Sequence, residues 1–292
     1  MNHNLTFLLI LFLFLLACNQ KEDRADAYGN FEANEIMVSA ESSGKILTFI
    51  PEEGEMLYRD HVSVTLDTVQ LYLKKRGLES GFASLGSRIL TLDAQLEASR
   101  VQLDNLVREQ KRLLKLVEGG AATTKQLDDI NGQVSLLEAQ MAATASQKDA
   151  VYAERETLEV QISQVEDQLD RCQVRNPMDG ILLTKYREQG EVAAPGQPLF
   201  KMARMDQLIL RAYVSGSQLA SVTLGQELTV RYDRDGALEE VTGRVSWISP
   251  SAEFTPKIIQ TREERVSLVY AVKVVVPNDG SLKIGMPGEV VF

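Results

Sequence analysis

Gly44-Lys45-Ile46-Leu47, with Gly54-Glu55-Met56 ten residues on, returns later in the chain as Gly180-Ile181-Leu182-Leu183 with Gly190-Glu191-Val192. Both parts of the motif recur at a single offset of 136 residues. Almost everything between the two copies is helix-forming and carries a heptad seam. One small β domain is therefore split in two by an inserted helical hairpin. A chain organised this way is made to reach across a distance and offers little for chemistry.

The inserted segment runs from about Gln70 to Cys172 without a proline. Its first arm alternates in steps of four and three: Leu78, Phe82, Leu85, Ile89, Leu92, Leu96, Ser99, Leu103, Leu106, Gln110, Leu113, Val117. The second arm continues as Leu127, Ile130, Val134, Leu137, Met141, Thr144, Lys148, Val151, Arg155, Leu158, Ile162, Val165, Leu169, Cys172. A 3.5-residue period held over several heptads marks a coiled coil. Gly119-Gly120-Ala121-Ala122 breaks the pattern once, so the arms fold back antiparallel. Thr123 or Thr124 can cap the second arm, and Asp128-Asp129 suits its positive end. Arms of about 45 residues at 1.5 Å rise would project roughly 65–70 Å. Lys148 and Arg155 on the seam imply a locally wet stretch in mid-hairpin.

On either side the pattern is β. Ile36-Met37-Val38, Ile46 to Ile50 and Val62 to Leu66 precede the hairpin, and Val174 to Met202 follows it. Further strands are expected at Leu208–Val214, Glu227–Tyr232, Val241–Ile248, Val266–Val276 and Glu289–Phe292, with a short helix at Ser217–Val222. This is the pattern of a small antiparallel barrel. The expected class is α+β and multi-domain: a long antiparallel coiled-coil hairpin (68–173) inserted into a split β domain (34–67 with 174–203), followed by a small β-barrel (204–292).

Composition removes several classes of function. Net charge is −10, which disfavours nucleic acid because phosphate binding rests on clustered Lys and Arg. His3 and His61 are the only histidines, too few to assemble a metal site with the two cysteines as spaced. Neither Gly-x-Ser-x-Gly nor His-Glu-x-x-His occurs, and almost no histidine is present to act as a base, so a hydrolase is disfavoured. No cofactor is expected.

The N-terminus carries an address. Leu5 to Leu16 is an apolar run too short to span a bilayer but suited to a signal peptide (1–17). Met1 to Leu5 lacks the Lys or Arg with which such leaders usually start. Leu15-Leu16-Ala17-Cys18 resembles the bacterial lipobox, which implies acylation of Cys18 and a lipidated linker over 18–33. Cys172 is then left without an intrachain partner and reads as a small core residue.

In this order of parts the chain resembles the periplasmic adaptor proteins, the membrane fusion proteins of the HlyD family. Ala40-Glu41-Ser42-Ser43-Gly44-Lys45-Ile46 and Arg175-Asn176-Pro177-Met178-Asp179-Gly180 are similar to the entry strands of that family's lipoyl-like domain. Phe254-Thr255-Pro256-Lys257 through Thr261, Val269-Tyr270 and Gly285-Met286-Pro287-Gly288 resemble adaptors of the YbhG type. The resemblance implies a hexameric ring held by a lipid anchor in the periplasm. That ring would link an inner-membrane ABC transporter, with permease and ATPase on separate chains, to a TolC-like outer-membrane channel. It also implies roles for individual residues. Arg112, Leu116 and Thr123 match the spacing of the channel-docking tip, with Thr in place of Ser. Gln189, before Gly190, corresponds by eye to a glutamine that gates the duct in macrolide-exporter adaptors.

The chain runs only to Phe292, which leaves little room for the membrane-proximal domain of resistance-nodulation adaptors. Asn19 resembles an outer-membrane sorting signal, whereas the architecture favours the inner membrane. Two further readings are an adaptor for a proton-driven pump (resistance-nodulation or major-facilitator) and a lipoyl- or biotin-type carrier. The carrier needs a lysine at the turn joining the two halves, where Asp67-Thr68 instead opens into the coiled coil.

Overall fold

Two glycines of the repeated motif have conformations that side chains rarely adopt: Gly54 at φ +87° and Gly190 at φ +95°. Each turns the chain so that a backbone N–H reaches the other half. Gly54 donates to the Leu182 carbonyl and Gly190 to the Ile46 carbonyl, both at 2.8 Å. The repeated contacts exchange the two halves, so the sequence repeat has become a pseudo-twofold axis. The computed structural model that shows this describes residues 25–234, 236–254 and 268–292.

The split domain is a sandwich of two four-stranded sheets, each taking two strands from either side of the hairpin. One sheet orders β2 (Glu35–Ser39), β9 (Pro198–Ala203), β7 (Gly180–Lys185) and β4 (Met56–Leu57). The other orders β6 (Gln173–Arg175), β5 (Val62–Leu66), β3 (Gly44–Phe49) and β8 (Val192–Ala193). The axis shows in the register: Gly44 pairs with Ala193 and Gly180 with Leu57. Between the sheets, Ile46, Val64, Leu66, Leu182, Leu199, Phe200 and Met202 are fully buried. Phe49 meets Phe200 edge-on at 5.9 Å. Neither half contains enough of this core to close it alone. Cys172 is a free, buried thiol in the same core.

From this sandwich the hairpin leaves between β5 and β6. Helix α1 (Val69–Glu118) has 50 residues and α2 (Thr124–Asp170) has 47, so the arm is about 75 Å long. The Asp67 carboxylate accepts from the Val69 N–H at 2.9 Å where α1 begins. Every expected seam residue, from Leu78 to Val117 and from Leu127 to Cys172, is buried or half-buried. Leu85, Ile89, Leu92 and Val151 form a buried cluster, with Leu158 packed against it. Each such side chain contributes about 1.5–3 kcal/mol by leaving water.

The last domain is a closed six-stranded barrel ordered β10, β1, β15, β11, β12, β14, with β14 pairing back to β10. Its strands are β10 (Gln207–Ser215), β11 (Glu227–Arg234), β12 (Ala237–Ile248), β14 (Leu268–Pro277) and β15 (Pro287–Val291), joined by β1 (Ala27–Glu32). Short β13 (Glu253–Phe254) adds to the β14 edge. Alternate residues of β10, namely Leu208, Leu210, Ala212 and Val214, point inward with Phe31, Val230 and Val274.

Three details go beyond the expectations. Residues 27–32, inside the segment read as a linker, form the strand that fills the gap between β10 and β15. The expected helix at Ser217–Val222 is a single 3-10 turn, Leu219–Ser221. Most of the stretch 254–261, which carries part of the resemblance, lies outside the described residues, as does the beginning of the expected strand at Val266.

Candidate docking tip and duct residue

The far end of the hairpin is closed by two capping devices in sequence. At the end of α1, Ala121 N–H donates to the Leu116 carbonyl at 2.8 Å and Gly120 N–H to the Val117 carbonyl at 3.0 Å. These are the two bonds of a Schellman motif, with Gly120 at φ +71° in its left-handed position. Thr123 then caps α2. Its hydroxyl accepts from the Gln126 N–H, and the Gln126 side chain accepts from the Thr123 N–H at 2.9 Å. The signal for this box, Thr-x-x-Gln, is present in the sequence and could have pointed to Gln126.

Of the three expected docking residues, Arg112 and Leu116 stand one turn apart on one face of α1. The Arg112 side chain is 70% exposed and its guanidinium holds Glu109 at 2.7 Å, a neighbour on its own helix. A surface pair of this kind contributes little and yields readily to a better acceptor. Leu116 is 39% exposed, and Leu114 is also exposed nearby, so the tip shows apolar surface with nothing packed on it. Thr123 differs: its hydroxyl is engaged with Gln126 and serves first to start α2.

Gln189 lies in the turn before β8. Its side-chain amide donates to the Leu47 carbonyl at 2.8 Å, tying the second half of the sandwich to the first. Lys185 is nearby, largely covered, with its ammonium over the Phe49 ring and paired with Glu52 and Glu188. Burial opposes its charge, but those two carboxylates hold its pKa above the ordinary lysine value. Cys18 lies outside the described residues.

The expected wet stretch of the seam is paired rather than open. Lys148 reaches Asp93 across the hairpin, and Arg155 stacks its guanidinium on Phe82 at 4.4 Å from the ring centre. The hydrogen bond to Asp93 raises the Lys148 pKa, and the one to Glu166 does the same for Lys75. Asp93 and Glu166 flank the seam instead of sitting on it, so a reading of the seam positions alone passes over them.

Among the described residues no three His, Cys, Asp or Glu side chains converge as metal ligands, and no helix is long and apolar enough to cross a membrane. A long capped hairpin, a sandwich split by it and a closed barrel together define the architecture of the membrane fusion, or periplasmic adaptor, proteins. MacA from Actinobacillus actinomycetemcomitans has this fold: it superposes at a TM-score of 0.60 with 20% identity, over 90% of this chain and 76% of that one. In sequence the chain is similar to UPF0194 membrane proteins. That of the asrC 5′ region of Acidithiobacillus ferridurans is 25% identical over 310 aligned positions, covering 95% of this chain and 89% of the relative. One from Yersinia enterocolitica is 26% identical over 308, covering 94% and 90%. No protein-family model matches the chain.

Proposed function

We propose that this protein is a non-enzymatic periplasmic adaptor of a tripartite efflux system. It carries a path from an inner-membrane ABC transporter, whose ATPase and permease are separate chains, to a TolC-like outer-membrane channel. Cys18 supplies a lipid anchor, with the inner membrane favoured, and copies of the chain form a hexameric ring around the duct. The observation that carries this reading is the bare tip. About 75 Å of coiled coil ends in an exposed Arg112 and an exposed Leu116, with no core of its own to join. Leu114 and Leu116, exposed beside Arg112 at the far end of the arm, suit a partner there. Arg112 is suited to carbonyl or carboxylate acceptors at a channel mouth and Leu116 to an apolar notch beside them. The likeness to UPF0194 membrane proteins over nearly the whole chain supports a membrane-associated setting.

The test is co-purification of the full-length protein with a TolC-like channel from cells making both. Arg112→Asp and Leu116→Ser should each reduce the captured channel at least tenfold while leaving helicity and ring formation intact. Interface anchors of this kind typically cost more than about 1–2 kcal/mol when lost, which corresponds to that change. An equal loss from Glu97→Lys in mid-hairpin would show that the tip has no special part.

A further inference from the structure

Three polar pairs cross the hairpin, and they do so at even intervals. Lys75 Nζ meets Glu166 Oε1 at 2.7 Å, Lys148 Nζ meets Asp93 Oδ1 at 2.5 Å, and Gln110 Nε2 donates to Asn131 Oδ1 at 2.8 Å. Along α1 the steps are 18 residues from Lys75 to Asp93 and 17 to Gln110. Back along α2 they are 17 from Asn131 to Lys148 and 18 to Glu166. All three pairs therefore satisfy one register, at levels about 26 Å apart.

The apolar residues of the outer half discriminate weakly between registers: after a slide of one heptad Leu96, Leu103 and Leu106 would still meet Leu137, Ile130 and Leu127. The polar pairs respond differently. Slid one way, Asp93 would stand level with Met141 and Lys148 with Gly86. Slid the other way, Lys148 would stand level with Arg100, a like charge. Isolated surface ion pairs are weak, and Asp93 and Glu166 flank the seam, but their partners Lys148 and Lys75 are largely covered and Gln110 is half-buried. Polar groups at a coiled-coil seam are an established means of choosing one register over its neighbours.

We propose that these three pairs form a register lock, and that they are positioning residues for the docking tip. The proposal rests on the reading of that tip as the channel contact. A heptad slip would move the turn along the chain and undo the Schellman close of α1 and the Thr123 cap of α2. It would carry Leu116 and Thr123 about 10 Å past each other and so dismantle the docking face.

Charge exchange at the central pair tests this in the full-length protein, in cells that also make the channel. Two cysteine pairs report the register: Ser99→Cys with Met141→Cys stands level in the observed arrangement, and Ser99→Cys with Val134→Cys stands level after a slip. Asp93→Lys and Lys148→Asp alone should each lower the first disulfide at least threefold, raise the second, and reduce channel capture at least tenfold at unchanged helicity. The double exchange should restore all three readouts to within twofold. Single exchanges that leave the first disulfide unchanged would overturn the proposal, as would a double exchange that restores nothing, or full channel capture from a slipped hairpin. Arg112→Asp, measured alongside, separates the two ideas. Undiminished capture by that variant removes the docking role, whereas the disulfide result still decides whether a lock exists.

Discussion

Gln189 and Leu47, separated by 142 residues in the chain, are joined by a 2.8 Å hydrogen bond from the glutamine amide to the leucine carbonyl. The bond lies beside the backbone contacts that Gly190 and Glu191 make with Ile46, so this turn is clamped to the opposite half at three points. A glutamine held so firmly by its own domain has its side chain already occupied. Gln189→Ala should therefore lower the stability of the sandwich by about 0.5–1.5 kcal/mol, the usual worth of one such bond. If it also gates a duct, the substitution should change export or leak at unchanged ring assembly. Denaturant unfolding together with an export assay separates the two effects, and no change in either would leave Gln189 an ordinary turn residue.

Thr123 is predicted to act through the helix it starts. Thr123→Ala should cost about 1 kcal/mol of local stability at the first turn of α2, Gln126→Ala a comparable amount, and Thr123→Ser almost nothing. Hydrogen exchange of the amides following Thr123 measures this. Should Thr123→Ala abolish channel capture while Gln126→Ala leaves it whole, the hydroxyl would have a partner outside this chain.

The sandwich should fold without its insertion. A protein joining 34–67 to 174–203 by a short linker keeps Ile46, Val64, Leu66, Leu182, Phe200 and Met202, and with them the core between the sheets. Cooperative thermal unfolding is expected, and Phe200→Ala in that protein should cost about 3–5 kcal/mol. A chain that stays unfolded under native conditions would mean that the hairpin stabilises the sandwich it splits.

If Leu5–Leu16 is a signal-peptide core, Cys18→Ala should accumulate as an unprocessed precursor that takes up no labelled fatty acid, because the run ends at a cysteine set in a lipobox-like sequence. Gel mobility and acyl labelling read the outcome, and a mature, normally migrating product would exclude acylation at this position.

Much of this molecule could be read from its residues, for a physical reason. A heptad seam and a glycine that must take positive φ each express a local rule, so Leu78 to Val117, Leu127 to Cys172, Gly54 and Gly190 could be placed by pattern. What escaped depends on partners distant in sequence. Ala27-Tyr28-Gly29-Asn30-Phe31-Glu32 is short, polar at intervals and interrupted by glycine. It is a strand because β10 and β15 leave a place for it, and Gly29 lies against the Arg211 carbonyl where any side chain would collide. Asp93 and Glu166 look like ordinary solvated acids until the opposite helix brings lysines to them. At the tip, Arg112 and Leu116 are expected from the resemblance in spacing alone; their exposure belongs to the structure. Thr123 could be seen as a cap, and its tie to Gln126 is equally local, carried by Thr-x-x-Gln at the start of α2.

The place of β1 in the barrel also sets the order in which this protein can be made. The first strand among the described residues pairs on one side with residues 207–215 and on the other with residues 287–291. Until that last segment has been synthesised, Phe31 has no finished interior to enter, and the barrel must wait with its earliest piece unhoused. Contacts of such long range close slowly, because the loop entropy is lost before any packing is gained. The hairpin, built from neighbours in sequence, can meanwhile form on its own. Such a chain completes its arm early and closes its base last.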